Sequence, residues 1–263
     1  MCISTQHKMD NTQLTTASGY KTTNMIFSKP EVGNIPGSAL SFKRIRISTK
    51  NSDGTTGDLV LATPTLFSFG VQESTDMNTG NVNGYTMPLC MWSKDGVKDE
   101  EKTFTDTFEK IVEYTKKYII KHKDDIEKYD LDMSDLKKLN PLYWKREKGK
   151  IVEGMGPTLY SKLLHSKKEN RIMTVFYNEE TGDEFEDPLD LLKKYCYVNA
   201  AIKFESIFIG NKISLQIKLS EASVQLLSTG PKRLLARPKP KKVEVEEDVE
   251  EETESSSSEE DSE

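Results

Sequence analysis

The feature that most constrains the fold is a β-hairpin in the last quarter of the sequence. Residues 200–209, AAIKFESIFI, and residues 212–219, KISLQIKL, flank a Gly-Asn pair that is typical of a tight turn. Successive strand residues point to opposite faces, so the second strand divides into a core face and a solvent face. The core face holds Ile213, Leu215, Ile217 and Leu219, and the solvent face holds Lys212, Ser214, Gln216 and Lys218.

A second hairpin is indicated by residues 42–47 and 59–63, two β-rich runs around a Gly/Ser/Asp/Thr turn region. Alternation divides the first run into two faces, which hold Phe42, Arg44 and Arg46 on one side and Lys43, Ile45 and Ile47 on the other. A cationic face beside a ring suits a single strand of nucleic acid, because guanidinium groups meet phosphates while a ring meets a base. The alternative is an ordinary solvated edge strand followed by two core phenylalanines, Phe67 and Phe69.

Further elements complete a β-rich pattern. The apolar spacing predicts a helix over residues 103–121, and a short helix begins at Pro188 with Asp187 as its N-cap. Residues 156–164 and 171–177 are predicted to pair as a hairpin. Roughly seven strands and one helix favour a mainly β (α+β) fold, an oligonucleotide/oligosaccharide-binding (OB-fold) Greek-key barrel with one inserted long helix and long loops. A β-sandwich is the alternative architecture.

A second basic and aromatic stretch, NPLYWKREKGKIV at residues 140–152, lacks an apolar period and is predicted to be a loop. An exposed tryptophan is costly without a ligand, so Trp144 is interpreted equally as a binding residue or a structural one. Together the two stretches and the neighbouring strands supply the candidate contacts. The predicted nucleic-acid-binding residues are Phe42, Lys43, Arg44, Arg46, Tyr143, Trp144, Lys145, Arg146, Tyr160, Lys162 and Lys218.

Charge divides the chain into segments. Residues 243–263 contain twelve of the 43 acidic residues and no basic residue, which leaves 31 acidic against 37 basic residues before them. We predict a flexible arm (1–24), a binding domain (25–228), a basic linker (229–242) and a disordered acidic tail (243–263), which cannot bury enough apolar surface to fold. The tail residues expected to contact partners are Glu254, Glu259, Glu260, Asp261 and Glu263.

Several classes of protein are not favoured by the sequence. It has no apolar run of about eighteen residues and no signal-peptide pattern at its start, which favours an intracellular protein without a membrane span. Cys2, Cys90 and Cys196 are isolated, which favours reduced thiols. Nucleotide-binding, zinc-protease and hydrolase motifs are missing, so no enzyme or cofactor is expected. The acidic turn at residues 178–187 lacks EF-hand spacing, and no metal site is predicted.

Several segments carry a family resemblance. LATPTLFSFGV, GPTLYSKLL, DPLDLLKKYCYVNAAIKFESIFIGNKISLQIKL and the acidic C-terminus together resemble the single-stranded DNA-binding proteins of large nucleocytoplasmic DNA viruses, such as iridoviruses and mimiviruses. Those proteins are in turn similar to single-stranded DNA-binding proteins of short-tailed phages. The resemblance implies an OB-fold barrel, sequence-independent binding of single strands, and a tail that contacts replication partners.

The expected function is therefore support of viral DNA replication, recombination or repair. Its partners would be single-stranded DNA and, through the tail, a polymerase, helicase or primase, with a homodimer left open. The expected location is the host cytoplasm, in a viral factory, or the nucleus, and the virion is a further candidate. The rival hypothesis is a virion structural or interaction protein that does not bind nucleic acid.

Overall fold

The computed structural model describes residues 14–34, 40–76, 79–166, 168–169 and 171–227. The first half of these residues contains the strands β1 (Leu14–Thr16), β2 (Met25–Phe27), β3 (Glu31–Asn34), β4 (Ser41–Lys50), β5 (Thr56–Ala62), β6 (Leu66–Ser68), β7 (Gln72–Thr75) and β8 (Val82–Cys90). The second half contains β9 (Leu142–Tyr143), β10 (Arg146–Glu147), β11 (Lys150–Ile151), β12 (Thr158–Leu163), β13 (His165–Ser166), β14 (Arg171–Ile172), β15 (Val175–Asn178), β16 (Cys196–Ile209) and β17 (Ile213–Leu226). Helix α1 spans Asp99–Lys121, and short 3-10 helices span Thr22–Asn24, Asp135–Leu139 and Pro188–Leu191.

Five strands close into a barrel in the order β6-β8-β12-β17-β16 and back to β6. Four of the five junctions are antiparallel, whereas β12 and β17 run parallel. The long strand β16 pairs with β17 along one edge, and along its other edge with β6, β5 and β4 in turn. The expected mainly β fold with a barrel and an inserted helix is confirmed at this level.

Helix α1 supplies much of the barrel's core. Its apolar residues recur at helical spacing, and the ring of Phe108 lies 4.9 Å from that of Phe204 in β16. At its start, Glu101 is buried and accepts hydrogen bonds from the backbone N–H groups of Lys98 and Ser93, both at 3.0 Å. The helix begins four residues before the predicted start, because its first turn is charged and shows no apolar period.

Two of the predicted hairpins are present, β16 with β17 and β4 with β5. The β16–β17 hairpin is confirmed and is longer than predicted at its open end, where β16 begins at Cys196 and β17 ends at Leu226. Strands β4 and β5 pair with each other only beside their turn, from Ser48 opposite Asp58 to Lys50 opposite Thr56. The two predicted faces of β4 are confirmed, since Ile45 and Ile47 are both buried.

The predicted hairpin between residues 156–164 and 171–177 is wrong. Strands β12 and β15 each pair in parallel with β17 instead of with each other. Only the short strands β13 and β14 pair across the intervening turn. The predicted cap is confirmed, because Asp187 Oδ1 accepts a hydrogen bond of 2.8 Å from the backbone N–H of Leu189.

Some predictions fall outside the described residues: most of the N-terminal arm, the basic linker, the acidic tail and Cys2. Of the helices in the described ranges, none is long and apolar enough to cross a bilayer. The same residues hold no group of three or more His, Cys, Asp or Glu side chains that could bind a metal ion.

Candidate nucleic-acid interface

Three of the predicted cations converge on the outside of the barrel. Lys162 of β12 lies directly opposite Lys218 of β17 in the parallel pair that closes the barrel. Arg44 of β4 is close enough to act electrostatically on Lys218, as Lys162 also does. We call Arg44, Lys162 and Lys218 the cationic surface. Within the described residues none of the three forms an ion pair, so their charges are available to a ligand.

Strand alternation explains why these side chains point outward. Leu163 and Leu219, the neighbours of Lys162 and Lys218, are both buried in the barrel. Ile45, next to Arg44, is buried as well. Because successive strand residues alternate between faces, burying the aliphatic residues presents the cations to solvent.

The cationic surface carries an electrostatic cost. Partial burial lowers the pKa of the Lys218 ammonium below its ordinary value. Glu205 raises that pKa, while Lys162 and Arg44 lower it again by repulsion. A site that holds like charges together without a bound anion is less stable than the same site with one, so the arrangement favours an anionic ligand.

On one side of the cationic surface lies a groove lined by two phenylalanine rings. Phe42 and Phe208 have ring centroids 4.9 Å apart, and the guanidinium carbon of Arg44 lies 5.6 Å from the Phe42 centroid. The groove has a volume of about 300 Å³ and is completed by Leu40, Ser41, Gly210, Asn211, Lys212 and Ser214. Gly33 of β3 lets the Phe42 ring lie against the backbone, because a Cβ atom at that position would lie 2.5 Å from Phe42 Cζ and displace the ring.

On the other side lie two exposed tyrosines. Tyr160 stands two residues before Lys162 on the same outward face of β12, and half of its surface is exposed. Tyr143 of β9 lies 6.4 Å from it, with the two rings edge to face. The structure thus arranges rings, cations and rings in sequence across the outside of the barrel.

Four other predicted cations lie apart from this arrangement. Lys43 points to the opposite face of β4, where Nζ pairs with Glu127 Oε1 at 3.1 Å. Arg46 faces outward but is held by Glu31, with Nε 3.2 Å from Oε1. Lys145 pairs with Glu147 at 3.2 Å, and Arg146 Nη1 donates a 3.2 Å hydrogen bond to the Gly149 carbonyl. Exposed ion pairs such as those of Arg46 and Lys145 are weak, so they partly neutralise these two cations without immobilising them.

Trp144 is not the exposed ring that the sequence suggested. Its ring lies 5.4 Å from that of Trp92, edge to face, and it is half-buried. Its indole lies close enough to Glu109 on α1 to interact with that carboxylate. Burial raises the pKa of the Glu109 carboxyl group, and the Trp144 side chain lowers it. The ring that was interpreted equally as a binding or a structural residue therefore packs the basic loop against Trp92 and α1.

Sequence reasoning missed several rings that reach the surface, of which Phe208 is half-buried and the others are exposed. Phe208 was overlooked because no face was assigned to the residues of β16, although it lies in the best-defined hairpin. Tyr195 and Tyr197 flank the buried Cys196, and this alternation was a readable signal of two outward rings. Phe69 was considered as a core residue but is 38% exposed.

We predict that Trp144→Ala lowers stability more than it lowers affinity for a ligand of the cationic surface. The change removes the edge-to-face contact with Trp92 and the interaction with Glu109, which should cost about 1–3 kcal/mol of unfolding free energy. Chemical denaturation measures the loss, and Tyr143→Ala is the control with an exposed ring. An unchanged denaturation midpoint for Trp144→Ala would contradict the docking role.

We also predict that Lys218→Met stabilises the protein at about pH 7. The folded-state pKa of Lys218 lies below its ordinary value of 10.5, because burial together with repulsion from Lys162 and Arg44 outweighs the attraction of Glu205. At neutral pH the folded protein therefore bears the cost of holding this ammonium charged. As the pH rises through the folded-state pKa of Lys218 toward 10.5, the ammonium loses its proton and the unfolding free energy of the wild type should increase. The difference in stability between Lys218→Met and the wild type should shrink over the same pH range. Thermal unfolding across this range measures both effects.

Lys150→Met is the matched control for that prediction, since Lys150 is exposed on β11. It should leave the melting temperature nearly unchanged. A lower melting temperature for Lys218→Met at neutral pH would show that the ammonium is favourably placed, contrary to this prediction.

Comparison with known proteins identifies the family. Residues 18–262 match a family described as "Protein of unknown function (DUF2738)". The chain is 27% identical over 185 residues to Uncharacterized protein 007R of Invertebrate iridescent virus 3, an alignment that covers 68% of this chain and 39% of that protein. It is 33% identical over 187 residues to the Early 31 kDa protein of Frog virus 3 (isolate Goorha), covering 69% of each protein.

Both relatives are viral proteins, so the expected likeness to a viral family is confirmed, whereas their names say nothing of DNA binding. The chain spans well under half the length of the first relative and about two thirds of the second. Since the family match covers nearly all of the sequence, the chain belongs to the DUF2738 family.

Proposed function

We propose that this protein binds single-stranded DNA without sequence preference, in support of viral DNA replication, recombination or repair. The observation that carries the proposal is the cationic surface lying between two pairs of rings. Proteins that bind single strands combine a positive groove along the backbone with rings on which bases stack. The cationic surface would meet phosphates, and Phe42, Phe208, Tyr143 and Tyr160 are placed to meet bases on either side.

The strand order of the barrel supports an OB-fold. Numbered by their order in the chain, the five barrel strands β6, β8, β12, β16 and β17 are arranged 1-2-3-5-4, with the parallel junction between the third and the fifth. OB-folds bind oligonucleotides on their second and third strands and on the loops between strands 1 and 2 and between strands 4 and 5. Here the third strand carries Tyr160 and Lys162, and the loop between the last two lines the groove at Phe42 and Phe208.

Lack of sequence preference follows from the chemistry of these contacts. Phosphate contacts carry no sequence information, and every base offers a flat face to a ring. A barrel of this kind covers about 4–16 nucleotides. Stacking on neighbouring bases hides the base faces in a duplex, so a ring-and-cation surface should prefer a single strand.

Titration with single-stranded and double-stranded DNA tests the proposal. If Arg44 and Lys162 each neutralise one phosphate, the double variant Arg44→Ala/Lys162→Ala should reduce the slope of log affinity against log salt by about 1.4, on the order of 0.7 per contact. The matched control is Arg46→Ala/Lys145→Ala, which removes two cations that already pair with carboxylates and should change the slope less.

The outcome of this titration separates the two functional hypotheses. Absent binding, or equal binding to single and double strands, would reject the proposal and leave a virion structural or interaction role. Equal slopes for the two double variants would show that the cationic surface is not the phosphate contact.

The acidic tail adds a regulatory element to the proposal. The sequence predicts a flexible linker, which would give the twelve negative charges of the tail a local concentration on the order of millimolar near the barrel, so the tail would compete with phosphates for the cationic surface. A bound strand would displace the tail and make it available to a polymerase, helicase or primase. This part of the proposal rests on sequence and charge, because the tail lies outside the described residues.

Truncation after Lys242 tests the competition. The shortened protein should bind single strands more tightly than the full chain, most visibly at low salt where charges are least screened. The comparison is the salt dependence of affinity for both proteins. Identical affinity at low salt would assign the tail to solubility alone.

A further inference from the structure

A second group of rings lies on the outside of the barrel, away from the cationic surface. Phe67 of β6 contacts three others, with centroid distances of 5.2 Å to Phe69, 5.9 Å to Tyr195 and 6.0 Å to Tyr197. Phe69 also lies 5.8 Å from Tyr195. We call these four residues the aromatic cluster. All four contacts are edge to face, and Phe69, Tyr195 and Tyr197 are 38%, 48% and 40% exposed.

The backbone holds the aromatic cluster in place. Gly70 has φ of +78°, and a Cβ atom there would lie 2.4 Å from the carbonyl oxygen of Lys194 and 2.5 Å from that of Leu191. Two hydrogen bonds of 2.9 Å join the same segments, from Val71 N–H to Leu191 O and from Lys193 N–H to Val71 O. The close approach that only glycine permits sets Phe69 beside Tyr195. A contiguous group of exposed rings is typical of a binding surface, whereas single exposed rings scattered over a protein are ordinary.

The strand register connects the aromatic cluster to the tyrosines beside the cationic surface. Tyr197 lies opposite Phe67, and Phe67 lies opposite Cys90 of β8. Cys90 lies opposite Thr158 of β12, which lies opposite Tyr143. Neighbouring strands are about 4.8 Å apart, so this outward row is a short and continuous path around the barrel. The rings of Tyr143 and Tyr160 stand at its far end.

Charge along this path favours a nucleic acid over a protein as the occupant. Lys193 and Lys194 are exposed immediately before Tyr195. Lys94 acts electrostatically on Cys90, in the middle of the row, although burial is the main reason that the pKa of this thiol is raised. Protein–protein interfaces are depleted in lysine, whereas phosphates require cations beside the rings that hold the bases.

We propose that the aromatic cluster is a second stacking subsite for the same single strand, which runs from the cationic surface past Tyr160 and Tyr143 to Phe67, Phe69 and Tyr197. This inference rests on the proposed function and adds the path and the length of the bound strand. A short oligonucleotide occupies the cationic surface alone, and a longer one also reaches the aromatic cluster.

The test compares two lengths of oligothymidylate, about 6 and about 16 nucleotides, near the two ends of the range that one OB-fold covers. The double variant Phe69→Ala/Tyr197→Ala should lose about 5- to 150-fold in affinity for the longer oligonucleotide and match the wild type on the shorter one. Tyr129→Ala is the control, because Tyr129 is an exposed tyrosine (63%) that follows the C-terminal end of α1. It should change neither affinity.

A second variant reports on contact without removing a ring. Phe69→Trp places a fluorophore in the aromatic cluster, and its emission, taken as the difference from the wild type, should change on addition of the longer oligonucleotide only. This result would support stacking even if the double alanine variant were unstable in thermal unfolding.

The outcomes separate the two proposals. If the wild type binds neither oligonucleotide, both the proposed function and this inference fail. If the wild type binds both and the double variant binds both equally well, only the aromatic cluster loses its role, and a protein partner becomes its occupant. An equal loss at both lengths in a folded variant would also overturn the inference, since the cluster would then not be an extension of the site.

Discussion

The parallel contact between β12 and β17 closes the barrel, and the candidate interface depends on that closure. Only two residue pairs form it, Lys162 with Lys218 and Leu163 with Leu219. The leucine pair is buried, so apolar contacts inside the barrel stabilise the junction and hold two ammonium groups side by side on its outer surface. Thr174 reinforces the junction, because its hydroxyl donates a hydrogen bond of 2.7 Å to the carbonyl of Leu219. The core thus maintains a repulsive surface that a bound anion would relieve.

Local patterns in the sequence were sufficient to predict the elements but not their partners. The alternation in residues 212–219 and the Gly-Asn turn identified the last hairpin, and alternation in β4 assigned both of its faces correctly. Parallel pairing leaves no turn signal, so β15 was assigned to the wrong neighbour. Which cations lie together depends on the same long-range pairing. Sequence alone therefore could not show that Lys162 lies beside Lys218 while Lys145 pairs with Glu147.

Trp144 shows why single aromatic residues are hard to interpret from sequence. A basic loop without an apolar period looked solvated, yet its indole packs edge to face on Trp92 and interacts with Glu109 of α1. The exposed rings that do form a group, Phe67, Phe69, Tyr195 and Tyr197, come from segments far apart in the chain. Phe67 and Phe69 were considered as core residues, and Tyr195 and Tyr197 were not considered, because the pairing of β6 with β16 that groups them leaves no local signal.

The central place of β16 also has a consequence for how this chain reaches its native state. Strands β4, β5 and β6 all pair with β16, which is more than 125 residues further along the chain. During synthesis those three strands emerge from the ribosome long before Cys196–Ile209 is translated, with one hydrogen-bonding edge unsatisfied. High contact order of this kind slows folding and prolongs the exposure of strand edges to other chains. The nascent chain must therefore avoid edge-to-edge aggregation until most of its length has been made.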